Sequence, residues 1–193
     1  MLKQLKIAFY MTIITTILCG VLYPLAVTGA AQLLFPGRAN GSLLTANGKI
    51  VGSRLIGQSF TSPAYFHPRP SAAGNGYDPL SSGGSSLGPT NRQLSDRILA
   101  EAAKLHAENP GAAIPADLLT TSASGLDPEI SIEAAEFQIP AISQARSIPE
   151  PELRLLVEAH LIARQFGFLG EPRVNVLELN LALDAAHPGR QQN

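Results

Sequence analysis

Some residue types are scarce in this 193-residue sequence, and each scarcity argues against a class of function. There is no tryptophan, aromatic residues make up only 6% of the chain, and no basic stripe is present, so we expect no nucleic-acid interface. The single cysteine, Cys19, excludes an intramolecular disulfide and a cysteine-based zinc site. The four histidines lack zinc-ligand spacing, and we therefore assign no metal ligand and no catalytic residue.

Acidic residues are absent from the first 77 positions. All fifteen lie at or after Asp78, where they outnumber the basic residues by seven. The charges before Asp78 are all basic, at Lys3, Lys6, Arg38, Lys49, Arg54 and Arg69. This asymmetry predicts a basic surface near lipid headgroups or a partner, and an acidic distal body.

A long uncharged run occupies the amino-terminal part of the chain, with no charged residue from Ile7 to Gly37. A bilayer core needs about 20 helical residues, so the run predicts a transmembrane helix over residues 7–30, with Pro24 as a kink or the end of the span. Lys3 and Lys6 place residues 1–6 in the cytoplasm and the body outside the cytoplasmic membrane. A cleaved signal peptide, with Thr28-Gly29-Ala30 as its cleavage site, is the alternative, and the length of the run favours the retained span.

The remainder, residues 38–193, has the pattern of one soluble α+β body with long loops rich in Gly, Pro and Ser. Asn47-Gly48 predicts the turn of a β-hairpin over residues 41–60, whereas the many prolines and glycines of residues 61–91 predict a loop. Apolar periodicity and capping residues predict three helices, over 90–109, 131–146 and 150–166, with the second interrupted at Pro140. Residues 173–179 predict a strand, after which LNLALDAA could turn helical.

The stretch LSSGGSSLG, residues 80–88, matches no phosphate-binding motif. The one Gly-Lys pair, Gly48-Lys49, lacks both ends of a P-loop, and the stretch only approaches the L-S-G-G-Q signature of ABC transporters. Gly84 to Gly88 does match the G-x-S-x-G motif of serine hydrolases. That motif requires a strand, a sharp turn and a helix, which the surrounding prolines and glycines disfavour, so a tethered serine hydrolase is a remote alternative.

Several longer motifs together resemble the C subunit of the bacterial Kdp-type potassium-transporting ATPase. The resemblance covers nearly the whole chain through YPL, ANGSL, VGSRLIGQSF, YFHPRPSA, SGGSSLGPTN, TTSASGLDPEIS, AAEFQIP and VNVLELNLAL. Two positions depart from the usual pattern, Ser86 in place of asparagine and Glu129 in place of histidine.

The resemblance implies a non-catalytic accessory subunit of an inner-membrane pump, assembled with a channel-like potassium subunit, a P-type ATPase subunit and a small stabilising peptide. The chain itself has neither a D-K-T-G motif nor a TVGYG motif, which agrees with that division. The family is described as a catalytic chaperone that raises the ATP affinity of the ATPase subunit. By resemblance, the candidate nucleotide contacts are Ser122, Ala123, Ser124, Gly125 and Gln138.

Our expected topology places the body outside the cytoplasm, where no ATP is present. We therefore expect no tightly bound cofactor, and we expect any effect on ATP affinity to act only through the partner ATPase subunit. The rival role is a periplasmic cap over the potassium entrance.

We predict that LSSGGSSLG belongs to a partner-docking loop, because glycine permits positive φ and close approach. The candidate docking residues are Tyr65, Phe66, Arg69, Tyr77, Gly83, Gly84 and Ser85.

Overall fold

The structure, a computed structural model, describes residues 1–188 and divides the chain into two compact units, Met1–Leu43 and the residues from Leu44 onward. The first unit is dominated by one continuous helical stretch, Leu2–Leu34, in which an 18-residue window reaches a mean hydropathy of 1.9. It comprises α1 (Leu2–Ile17), a π-helical turn (Leu18–Leu22) and α2 (Tyr23–Leu34), followed by the short α3 (Pro36–Ala39). The stretch is long and apolar enough to cross a membrane.

Pro24 does not end the helix, contrary to one of the two outcomes predicted for it, since α2 continues for ten residues beyond it. The residues just before it adopt π-helical turns instead, in which the Tyr23 N–H donates to the Leu18 carbonyl five residues earlier. Proline cannot donate to the carbonyl four residues back, and its ring crowds that carbonyl. A widened turn is a known way for a helix to absorb such a local disruption.

The second unit is an α+β body with short strands. A hairpin that begins at the boundary between the two units pairs β1 (Leu43–Ala46) with β2 (Lys49–Ser53) around Asn47 and Gly48, both at positive φ, as predicted. The other elements are 3₁₀ turns at Pro79–Ser81 and Ala116–Leu118, α4 (Arg92–Glu108), β3 (Glu129–Ser131), α5 (Ile132–Arg146), α6 (Glu150–Ala159), β4 (Leu161–Ile162), β5 (Arg173–Asn175) and α7 (Val176–Ala186).

A three-stranded antiparallel sheet in the order β3-β5-β4 forms one side of the core. Val174 at its centre pairs with Ile130 on one side and with Leu161 on the other. Helices α5, α6 and α7 bury their apolar faces with this sheet. The fully buried members of this core include Phe66, Ile139, Leu153, Leu179 and Leu183.

Two predicted boundaries are wrong in the last third of the body. The helix predicted over 150–166 ends at Ala159, because Leu161 and Ile162 pair with Val174 and Arg173 as a strand. The strand predicted over 173–179 ends at Asn175, whose side chain accepts a hydrogen bond from the Glu178 N–H and so caps α7. An Asn followed three residues later by Glu is a helix-start signal that the apolar alternation of this segment obscured.

The predicted interruption at Pro140 is also wrong, because α5 runs through it to Arg146. Proline removes one backbone hydrogen bond and leaves nearby carbonyls without their usual partners. The Asn109 side-chain amide donates to the Phe137 carbonyl at 2.9 Å, three residues before the proline. The buried side chains of Ile139 and Ile142 hold the flanking turns in the core.

Candidate functional site

Two buried carboxamides hold consecutive residues of the long loop after β2. Asn180 on α7 accepts from the Phe66 N–H and donates to the Phe66 carbonyl, both at 2.9 Å. Gln138 on α5 accepts from the His67 N–H at 2.7 Å and donates to the His67 carbonyl at 3.1 Å. Each carboxamide therefore replaces the pairing that a neighbouring strand would give to this extended segment.

A buried arginine holds the two preceding loop residues. The Arg146 side chain, 0% exposed, donates from Nε to the Ala64 carbonyl at 2.6 Å and from Nη2 to Asp184 at 2.8 Å. Its guanidinium carbon lies 4.5 Å from the centre of the Tyr65 ring. The Tyr65 hydroxyl donates to the other carboxylate oxygen of Asp184 at 3.0 Å. Burial, followed by this hydrogen bond, raises the pKa of Tyr65.

Arg69 and Tyr77 lock the next part of the loop. Arg69 donates to Asp127 at 3.2 Å and to the Thr120 hydroxyl at 3.2 Å, so it joins the loop to the segment before β3. The Tyr77 hydroxyl donates to the Arg69 carbonyl. Burial is the main reason that the pKa of Tyr77 lies above its ordinary value of 10, and the nearby Asp127 carboxylate acts in the same direction.

The two serine-glycine loops that the sequence singled out are joined in the structure. The Gly83 N–H donates to the Ser124 carbonyl at 2.8 Å, and the Ser82 hydroxyl donates to the same carbonyl at 3.0 Å. The Ser71 hydroxyl donates to the Gly125 carbonyl at 2.6 Å from the other side. We call this arrangement of residues 71–73, 82–84 and 122–125 the serine-glycine junction.

Glycine is required at some positions of the junction and dispensable at others. Gly125 has φ +66°, and a Cβ there would lie 2.7 Å from both the Ala73 nitrogen and the Gly83 oxygen. A Cβ at Gly84 would lie 3.2 Å from the Ala123 oxygen, whereas one at Gly83 would point into open space. Positive φ at residues 83, 84 and 88, which the sequence suggested as the reason for glycine, is not observed. Close approach accounts for Gly84.

The candidate nucleotide contacts lie in two environments. Both ends of the Gln138 carboxamide are engaged by protein groups, at His67 and Ala134. Ser122 and Ser124 lie in the junction, where their hydroxyls accept from the Gly125 and Leu126 N–H groups. Gln138 is thus held by protein groups at both ends of its carboxamide, while the two serine hydroxyls each accept a backbone hydrogen bond within their own loop.

The candidate docking residues divide into anchors and surface. Phe66 is 0% exposed and packs in the core, so its side chain offers nothing to a partner and instead holds the loop in place. Tyr65, Arg69 and Tyr77 are partly buried in the contacts given above, and Gly83, Gly84 and Ser85 are partly exposed.

The hydrolase motif lacks the context that it needs. Residues 82–88 form neither strand nor helix, and α4 begins only at Arg92, capped by Asn91. Within residues 1–188, no group of three or more His, Cys, Asp or Glu side chains is placed to hold a metal ion.

A groove of about 690 Å³ adjoins the Arg69–Asp127 pair. Its wall includes the hairpin between β4 and β5, and Arg173 donates to Glu129 there at 2.5 Å. Four acidic side chains and two basic ones line it, which are Asp117, Asp127, Glu129, Glu171, Arg69 and Arg173. The groove therefore carries an acidic excess.

Sequence reasoning missed Asn180, Arg146 and Asp184. A usable signal was present for two of them, because Asn180 and Asp184 are polar residues four apart on a helix that is apolar beyond its first turn, and hence share a face. Gln138 was noticed, but only as a possible nucleotide contact. Its contact with His67 spans 71 positions and has no local signal.

Comparisons with known proteins agree with the resemblance drawn from the motifs. The family model described as "K+-transporting ATPase, c chain" matches residues 5–185. A protein of Koribacter versatilis named "Potassium-transporting ATPase KdpC subunit" is 55% identical over 188 residues, covering 97% of both chains. Proteins of the same name from Caulobacter vibrioides and Bradyrhizobium diazoefficiens are 55% and 50% identical, covering 97% and 96% of this chain and 96% and 98% of their own. The chain therefore belongs to the KdpC family, the c chain of the K+-transporting ATPase, an accessory subunit of that pump.

Proposed function

We propose that this accessory subunit is anchored in the cytoplasmic membrane by residues 7–30, with its body outside, and that it docks on partner subunits through the serine-glycine junction. The partners are the channel-like potassium subunit, the P-type ATPase subunit and the small stabilising peptide. Its contribution to pumping is assembly and stabilisation of the complex rather than chemistry of its own.

The observation that carries the docking role is the use of backbone donors in the junction. A phosphate cradle needs free N–H groups leading into a helix, with a basic residue nearby. Here the N–H groups of Gly83, Gly125 and Leu126 donate to protein oxygens. Arg69 is occupied by Asp127 and Thr120. A rigid surface with small side chains suits close contact with another protein better than it suits a nucleotide.

The proposed orientation rests on Lys3 and Lys6 at the start of the apolar helix. The proposed anchoring is tested by deleting residues 1–35 and expressing the remainder with the other subunits. We expect the truncated protein to be released from the membrane fraction and potassium uptake at low external potassium to fail. Uptake restored by the truncated protein would show that the anchor is dispensable.

An effect on ATP affinity follows from docking without a nucleotide site on this chain. A subunit that stabilises the ATP-binding conformation of its partner increases the population of that conformation. The apparent affinity of the partner for ATP rises as a result. The test is photolabelling of the complex with an azido-ATP. We expect label on the ATPase subunit, and label on Ser122 to Gly125 would contradict this part of the proposal.

Docking itself is tested by Gly83→Val, since a side chain at this position points into open space and should not disturb the fold. We expect the variant to keep its thermal unfolding temperature while co-purification with the other subunits drops. Ala107→Val, an exposed substitution on α4, is the matched control. Normal assembly of Gly83→Val with a raised ATP requirement would favour the nucleotide interpretation instead.

A second candidate role, a cap over the potassium entrance, is supported by the excess of seven acidic charges from Asp78 onward. An acidic surface raises the local concentration of cations, an effect that falls with ionic strength. If the body caps the entrance, neutralising exposed acids should raise the KM for potassium at low ionic strength and leave assembly unchanged.

A further inference from the structure

The hairpin between β4 and β5 ends in an exposed apolar turn. Phe166 is 81% exposed, Phe168 is 71% exposed and Leu169 is 47% exposed. We call residues 166–169 the aromatic tip. Several large apolar side chains that are close together and highly exposed commonly mark an interaction site.

The tip is rigid rather than a loose loop. Gln165 and Leu169 exchange both backbone hydrogen bonds, at 2.8 and 2.9 Å, and the Gly167 N–H donates to the Arg164 carbonyl at 3.1 Å. Phe166 sits at φ +54°, a conformation unfavourable for a bulky residue. A preorganised turn with aromatic side chains loses little entropy on binding, which is the usual property of an interface anchor.

The charges around the tip distinguish between a lipid surface and a protein as its partner. Arg164 is paired with Glu171, and Arg173 is paired with Glu129. With Arg164 counted as the partner of Glu171, the adjoining groove still has an acidic excess of one charge and no basic excess. Membrane anchors combine apolar residues with an excess of Lys and Arg that binds anionic headgroups. Acidic residues around the tip are repelled by anionic headgroups and complement a basic protein surface.

We propose that the aromatic tip inserts into an apolar pocket with basic residues around its rim, on another protein subunit of the potassium-transporting ATPase complex. This inference rests on membership of the family and on the tip itself. It requires neither the docking role of the serine-glycine junction nor a particular orientation in the membrane.

The direct test places the photo-crosslinker p-benzoylphenylalanine at position 166 in the assembled complex. We expect an adduct with another protein subunit. Adducts only with lipid, adducts only with a second copy of this chain, or no adduct would each overturn the proposal. Because yield is measured on the assembled fraction alone, a failure at the serine-glycine junction is seen separately as loss of assembly.

The energetic test compares two double variants of the full chain. Phe166→Ser with Phe168→Ser should speed loss of this subunit from the purified complex by about 30-fold or more, the effect of truncating an interface anchor. Leu99→Ser with Leu155→Ser changes two side chains that are 68% and 65% exposed on other elements and should change the rate less than about twofold. Equal rates for the two double variants would overturn the proposal.

The charge of the rim is tested by Glu171→Arg, at an exposed position. Against a basic rim, the variant should dissociate faster from the complex, and the difference should shrink as salt is added. The same variant is mixed with vesicles of phosphatidylethanolamine and phosphatidylglycerol that lack the other subunits. Tighter binding of the vesicles, with unchanged retention in the complex, would assign the tip to lipid and overturn the proposal.

Discussion

Gln138 and Asn180 lie on different helices, yet each closes a pair of hydrogen bonds with one of two consecutive loop residues, His67 and Phe66. Both carboxamides are buried, with exposures of 8% and 2%. The loop after β2 is therefore held by side chains where a sheet would hold it by backbone. This arrangement allows a segment rich in proline and glycine to form part of a fixed surface.

Replacing Asn180 with leucine should destabilise the protein by about 2–4 kcal/mol. Leucine fills the space of the carboxamide with an apolar side chain. It leaves the buried N–H and carbonyl of Phe66 without hydrogen-bond partners, and each such group costs about 1–3 kcal/mol. The free energy of unfolding of the full chain in detergent micelles measures the loss. Gln93→Leu, at an exposed position on α4, is the control and should change stability by less than about 0.5 kcal/mol.

Asp184→Asn should destabilise the protein by about 2–4 kcal/mol, because it leaves the fully buried guanidinium of Arg146 without its counter-charge. The matched control is Glu150→Gln, which breaks an exposed pair with Arg154 and should cost less than about 0.5 kcal/mol. Chemical denaturation compares the two variants. Equal effects would mean that Arg146 is solvated or paired elsewhere.

Tyr77 should make the protein less stable at alkaline pH. Its pKa is raised in the folded state, so the unfolded chain loses the phenolic proton first as pH rises above about 10. The stabilisation that comes from this raised pKa is complete below about pH 10 and is lost as pH rises toward the folded-state pKa. Tyr77→Phe should remove this component, so the difference in unfolding temperature between the two proteins should narrow or reverse above pH 10. A difference independent of pH would contradict the burial of this hydroxyl.

Gly125→Ala should loosen the serine-glycine junction and cost about 1–3 kcal/mol. A Cβ at this position would meet backbone atoms at 2.7 Å, and the residue has positive φ. Hydrogen exchange of the Gly83 amide, which donates to the Ser124 carbonyl, reports the opening directly. Exchange should speed up in Gly125→Ala and stay unchanged in Gly88→Ala, where the added Cβ has open space.

Local signals predicted most of the elements. The hairpin turn at Asn47-Gly48 and the starts of the helices predicted over 90–109 and 131–146 appear within two residues of where short-range chemistry places them, and the apolar helix at the amino terminus covers its predicted span. The errors lie where distant residues decide the outcome. Leu161 fits the helical stripe of α6, but pairing with Val174 makes it a strand residue.

The candidate site was predictable as a set of loops but not as an assembly. The sequence singled out SGG and TSASG separately, and the structure joins them through Gly83 and Ser124. It also shows that Phe66 is a core residue within the loop, which composition cannot distinguish from an exposed aromatic.

The sequence alone determined the family, the long apolar segment and the absence of the catalytic motifs sought, because these depend on residue identity and short spacing. Only the tertiary structure decided which polar side chains face the loop, because those contacts close across gaps of up to 119 residues, as between Tyr65 and Asp184. It also exposed Phe166 and Phe168 while burying Phe66. Which aromatic residues are buried depends on how the helices and strands pack around them, and no local pattern encodes that choice.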